Sequence, residues 1–140
     1  MKLARTTVTR LIETARAAQA NAHAPYSRFR VGAAVLAADG RVFAGCNVEN
    51  ASLGLTVCAE RNAVAAAIAA GTRPVAVAVV TDQDHVGPCG ACRQVLAEFG
   101  PALAVVLVGR DGTRPRTTTI ERLLPGAFRF DPPPPRARRG

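Results

Sequence analysis

Four residues of this chain have the types and spacing for metal-assisted proton chemistry. Cys89 and Cys92 form the run Pro88-Cys89-Gly90-Ala91-Cys92, and Cys58 lies 31 positions before Cys89. Both segments read as helix starts. Three thiolates from two helix N-termini can converge on one ion, and zinc suits sulfur ligands in a tetrahedral array. The positive ends of the helices favour thiolate over thiol. Three protein ligands leave a fourth position for water, which is the layout of a catalytic rather than a closed site. Glu60 follows Cys58 by two residues. Positions two apart on a regular helix point about 200° apart, so both can face one site only if Cys58 has non-helical backbone. The spacing therefore predicts Cys58 at or next to the N-cap, with Glu60 as the group that moves protons between water and a substrate.

Other readings of the same residues stay open at this level. A Cys-x-x-Cys pair in an α/β protein is also the pattern of a redox dithiol. A structural zinc site would need a fourth ligand, for which His85 is the nearest candidate. Glu60 could be an ordinary first-turn carboxylate favoured by the helix dipole. Cys46 falls in the middle of an expected strand and reads as a small buried residue.

The elements that must position these groups can be read from pattern. Residues 7–22 form an amphipathic helix, with Val8, Leu11, Ile12, Ala15 and Ala18 at helical spacing. Thr6 or Thr7 could cap it, and His23-Ala24-Pro25 ends it. Residues 30–37 and 41–48 are strands joined by the turn signal Asp39-Gly40. Residues 50–57 are a loop, and 58–70 a helix closed by Gly71. Residues 74–81 are a continuous apolar strand, buried on both faces. After a loop over 82–88 comes a helix over 89–99, ended by Gly100-Pro101. Residues 103–109 are another buried strand, 114–118 a short strand, and 119–124 a short helix. Strand–helix–strand units with apolar strands indicate a layered α/β sheet. The expected architecture is a three-layer α/β/α sandwich with a mixed five-stranded sheet. It forms a single domain over residues 1–130, followed by a disordered Pro/Arg-rich tail over 131–140. There is no internal repeat.

Composition narrows the function classes. The chain has 140 residues, enough to bury one core without disulfide staples. Aromatic residues are 4% and Trp is absent, so Ala, Val, Leu and Ile must build that core. Such small side chains bury little area each, which points to oligomer formation for the rest. Net charge is +8, yet no aromatic residues are interleaved with the C-terminal arginines to stack bases, so the excess reads as a solvated tail. The first residues lack the apolar core of a signal peptide. The apolar run 63–70 is too short to span a bilayer. The expected setting is the reducing cytoplasm, where cysteines read as metal ligands or catalysts before disulfides.

Cys58-Ala59-Glu60-Arg61 together with Pro88-Cys89-Gly90-Ala91-Cys92-Arg93-Gln94 resembles the zinc signature of the cytidine deaminase family. Three Cys ligands resemble its small homotetrameric nucleoside branch, whereas the polynucleotide-editing branch begins with His. Pro25 to Ala34, Gly45 to Ser52, and Leu123-Leu124-Pro125 to Phe128 extend the resemblance across residues 7–130. The resemblance implies one zinc per chain and hydrolysis of cytidine and deoxycytidine to uridine and deoxyuridine, with loss of ammonia, in pyrimidine salvage. It implies Glu60 as the catalytic proton carrier and Phe29 packed on the pyrimidine. It further implies that Asn47 and Glu49 bind ribose hydroxyls and that Ala59 offers backbone groups to the base. Arg61 would bond the zinc thiolates, Gln94 would support the site, and Phe128 would reach a neighbouring subunit's site.

Three positions depart from the family pattern. Leu53 stands where an aromatic residue is common, Gly87 precedes Pro88 where Ser is common, and Asp84-His85-Val86 is unusual. Leu53 keeps a second substrate class in view, another aminopyrimidine nucleoside such as a nucleoside antibiotic. The basic tail motivates a third reading, a nucleic-acid-binding module with a structural zinc.

Overall fold

The computed structural model describes residues 2–110 and 114–131. The expected tail falls almost wholly on residues 132–140, outside the described residues. The chain runs α1 (Arg5–Gln19), β1 (Val31–Ala37), β2 (Val42–Cys46), a 3-10 turn (Leu53–Leu55), α2 (Ala59–Ala69), β3 (Pro74–Thr81), α3 (Gly90–Ala97), β4 (Ala104–Val108), β5 (Arg116–Thr119) and α4 (Ile120–Leu123). The strand order is β2-β1-β3-β4-β5. Only β3 and β4 pair parallel; the other three ladders are antiparallel. The sheet is therefore mixed and five-stranded, as the sequence led us to expect.

Alternation along the strands divides the core into two layers. Ala34, Ala78, Val80, Val106 and Val108 meet Leu11 and Ala15 of α1 on one face. Ala33, Val35, Val77, Val79, Val105 and Leu107 meet Ala59, Ala63 and Ala67 of α2 and Leu96 of α3 on the other. The scarcity of large side chains is matched by close approach of the layers. A Cβ on Gly32 would meet the Ala15 carbonyl, and one on Gly45 would lie 2.4 Å from the Ala59 carbonyl and 2.5 Å from the Ala63 nitrogen. Gly45 thus lets the start of α2 lie directly on β2.

Several boundaries differ from the sequence reading. Helix α1 begins two residues earlier, at Arg5, with Ala4 at its N-cap and no side-chain cap. Thr6 and Thr7 are interior. The helix stops at Gln19, and His23 instead forms an isolated bridge with Val48. Strand β2 ends at Cys46 rather than Val48, because the Asn47 side chain replaces the next rung: its Oδ1 accepts the Val31 N–H at 2.8 Å, and its Nδ2 donates to the Phe29 carbonyl at 2.7 Å. Among the described residues no helix is long and apolar enough to cross a membrane.

Candidate active site

Cys58 and Cys89 occupy equivalent places. Cys58 is the N-cap of α2 (φ −69°, ψ 155°), and Cys89 is the N-cap of α3 (φ −64°, ψ 169°). The non-helical backbone expected at Cys58 is present, and it recurs at Cys89. Neither side chain caps the backbone N–H groups of its own helix, so both sulfurs are turned to other partners. Cys92, in the first turn of α3, is fully buried. The three Sγ atoms lie within 4.8 Å of one another, and Cys58 and Cys89 are 3.7 Å apart. Sulfur atoms bound tetrahedrally at ~2.3 Å from a zinc ion stand ~3.8 Å from each other. The donor set fits zinc in type, number and spacing.

Electrostatics favour the same conclusion. The Cys58 thiol is lowered to about 5, first by the hydrogen bond from Cys92, then by Arg61 and Cys89. Cys92 is pushed up, because it bonds Cys58 and is buried beside Glu60. One thiolate thus already exists at neutral pH, with a second thiol bonded to it. The Arg61 Nη2 lies 3.8 Å from Cys58 Sγ and donates to the Thr56 carbonyl at 3.2 Å. Its Nε is buried without a partner among the described residues. The guanidinium is held in place to offset sulfur charge.

His85 lies apart. Its Nε2 is 2.9 Å from the Arg114 carbonyl, and it is not in the thiol group. Cys46 is half-buried and also outside the group. A redox dithiol needs only Cys89 and Cys92, and leaves the adjoining Cys58, Glu60 and Arg61 without a purpose.

The sulfurs open onto a cavity of ≈ 310 Å³. Phe29, Val31, Val79 and Val86 form apolar walls, and Asn47, Glu49 and Glu60 line it with Cys58 and Cys89. An apolar slot with a few placed polar groups is the usual form of a small-molecule site. Glu60 is only 4% exposed, and burial first, then the Cys58 charge, pushes its carboxyl above the ordinary range. Asn47 and Glu49 reach the same cavity although the β2 ladder stops before both.

The other expected residues, Ala59, Arg61, Gln94 and Phe128, are not among those that line this cavity. Ala59 is fully buried at the first position of α2. Gln94 donates from Nε2 to the Phe128 carbonyl at 3.0 Å, which ties α3 to the C-terminal segment. Phe128 is 73% exposed and Leu53 70% exposed; neither lines the cavity of its own chain. Sequence reasoning missed Ser27, Thr56 and Thr81 on the cavity wall. It also missed Arg93, whose Nε donates to the Pro88 carbonyl at 2.7 Å and Nη1 to the Leu123 carbonyl at 2.8 Å. Its place directly after Cys92, within the run that resembles the zinc signature, was the signal that could have found it.

Comparison with known proteins agrees with this geometry. The family model described as the cytidine and deoxycytidylate deaminase zinc-binding region matches residues 5–108. The cytidine deaminase of Halalkalibacterium halodurans is 52% identical over 120 residues, covering 84% of this chain and 91% of that protein. The crystal structure of the cytidine deaminase from Burkholderia pseudomallei superposes with a TM-score of 0.81 at 54% identity, covering 86% of this chain and 98% of that one. That from Mycobacterium tuberculosis gives 0.72 at 44% identity, covering 88% and 98%.

Proposed function

The chain belongs to the cytidine and deoxycytidylate deaminase family, and from that premise we propose that it hydrolyses cytidine and deoxycytidine to uridine and deoxyuridine. Water adds at C4 of the pyrimidine, and ammonia leaves from the same carbon. The observation that carries this reading is the buried Glu60 carboxylate on the wall of an apolar cavity, beside three clustered thiols.

Cys58, Cys89 and Cys92 would hold the zinc ion, with Arg61 offsetting their charge. When bound, zinc supplies Lewis acidity that makes water a competent nucleophile near neutral pH. The Glu60 carboxylate takes the proton of that water and returns it to N3 of the ring. It then carries a proton to the departing amine. Burial suits it to both tasks, since a carboxyl raised above its ordinary range is a stronger base toward the water and holds the proton until the more basic ring nitrogen or departing amine takes it. Phe29 packs on the ring, Asn47 and Glu49 receive the ribose hydroxyls, and Ala59 contributes backbone groups to the base. Gln94 supports α3 through its bond to the Phe128 carbonyl.

The reading extends to assembly and setting. The working form is a homotetramer, with Phe128 reaching a neighbouring subunit's site. Its exposure in the isolated chain, with that of Phe130, Leu53 and Leu55, supports an interface role. The enzyme serves pyrimidine salvage in the cytoplasm, as one domain over residues 1–130.

The direct test measures zinc content and ammonia release on one purified sample. About one zinc per chain and release from cytidine are expected. Zinc-loaded protein that frees no ammonia from cytidine or deoxycytidine overturns the reading. Comparing kcat/KM among cytidine, deoxycytidine and aminopyrimidine analogues assigns the preferred substrate.

A further inference from the structure

Both carboxylate oxygens of Glu49 are engaged by the loop that precedes β1. Oε2 accepts the backbone N–H of Tyr26 at 2.9 Å and that of Ser27 at 3.2 Å, and Oε1 accepts the Ser27 hydroxyl. The same hydroxyl oxygen accepts the Phe29 N–H at 3.0 Å. A serine hydroxyl has one proton to give and lone pairs to receive. With the Phe29 N–H on its acceptor side, the proton is directed at Glu49. Arg28, between them, has φ 58°, the left-handed region that non-glycine residues rarely adopt. The turn is kept there by the bonds on either side of it. The Glu49 carboxyl is also held below its ordinary range, with the Ser27 hydroxyl as the largest cause.

We propose that Ser27 is a positioning residue for sugar recognition: its hydroxyl fixes the Glu49 carboxylate in one orientation on the cavity wall, so that nucleosides bearing ribose hydroxyls are selected. This rests on the reading that Glu49 receives those hydroxyls. A carboxylate ordered before binding loses little side-chain freedom when the sugar arrives. Without the Ser27 hydroxyl, Oε1 loses its partner and only the two backbone N–H groups at Oε2 hold the carboxylate, so it can turn about that anchor and each binding event must order it again. Ser27 acts on binding of the sugar and not on proton transfer, because the group it holds lies apart from Glu60 in role.

The experiment compares wild type, Ser27→Ala, Ser27→Thr and Glu49→Gln on cytidine and on 2′,3′-dideoxycytidine, with zinc content and melting temperature recorded for each. Ser27→Ala is expected to raise KM for cytidine about tenfold, with kcat within about twofold. Its kcat/KM for the dideoxy substrate should stay within about twofold of wild type. Ser27→Thr, which keeps a hydroxyl, should recover most of the cytidine value. If Ser27→Ala does not fold, Ser27→Gly makes the same comparison. Equal losses on both substrates, or no loss on cytidine while Glu49→Gln raises KM, overturn the role of Ser27. If Glu49→Gln itself leaves KM for cytidine unchanged, the sugar-binding reading of Glu49 fails and the proposal with it.

Discussion

Cys58 Sγ and Cys89 Sγ lie 3.7 Å apart although 31 residues separate them in the chain. Each caps a different helix with extended backbone, so the two helix N-termini point at one place. That convergence concentrates positive dipole where the sulfur charge collects.

Removal of the metal should expose this arrangement. In zinc-free protein Cys58 stays a thiolate down to about pH 5. Its alkylation by iodoacetamide should therefore be rapid at pH 7 and fall off as the pH drops through that value, since the thiol is far less nucleophilic. Added zinc should protect it. Peptide mapping of labelled protein across pH checks both points; a midpoint near the ordinary thiol value contradicts the assignment.

Replacing Glu60 by Gln should separate chemistry from folding. The side chain is buried and is not one of the clustered thiols, so zinc content and melting temperature should stay near wild type. Activity should fall by about 10²–10⁴-fold, the usual worth of a positioned proton carrier. Metal analysis alongside kcat measures the split; retention of activity removes Glu60 from the mechanism.

Arg93 should matter for metal retention. It bonds the Pro88 carbonyl, just before Cys89, and the Leu123 carbonyl at the end of α4. Arg93→Met should loosen the approach to Cys89 and weaken zinc binding by about 10–100-fold, as for other groups that orient metal ligands. Competition with a chromophoric chelator gives the affinity.

The contact at Gly45 links stability to the site. Gly45→Ala must push α2 away from β2, because the added carbon would clash with the Ala59 carbonyl and the Ala63 nitrogen. A loss of about 1–3 kcal/mol is expected, seen as a lower midpoint in urea. Zinc affinity should fall as well, since Cys58 rides on the displaced end of α2. Gly54→Ala, where nothing lies within 4 Å of the new carbon, is the control.

The chemistry of this protein was legible in local sequence wherever the physics is local. Cys58 and Glu60 cannot share a site from within a regular helix, so the N-cap placement followed from helical geometry alone. Asp39-Gly40 announced the hairpin, and the alternation of apolar strands with helices announced the layered sheet. The start of α1 was misread because Ala4 carries no capping side chain and Thr6 and Thr7 lie inside the helix. The end of β2 was misread because a side-chain amide, that of Asn47, continues the pairing beyond the backbone ladder.

Residue types and short spacings thus determined which groups could hold a metal and which could carry a proton. They could not show which groups meet across long stretches of chain. The distance between Cys58 and Cys89 follows from how α2 and α3 seat on one sheet, the grip of Ser27 on Glu49 from the pairing of β1 with β2, and the reach of Arg93 to Leu123 from the packing of α3 against α4. That seating depends on strand register and on gaps such as the missing side chain of Gly45, which are sums over many packed contacts rather than properties of any one segment.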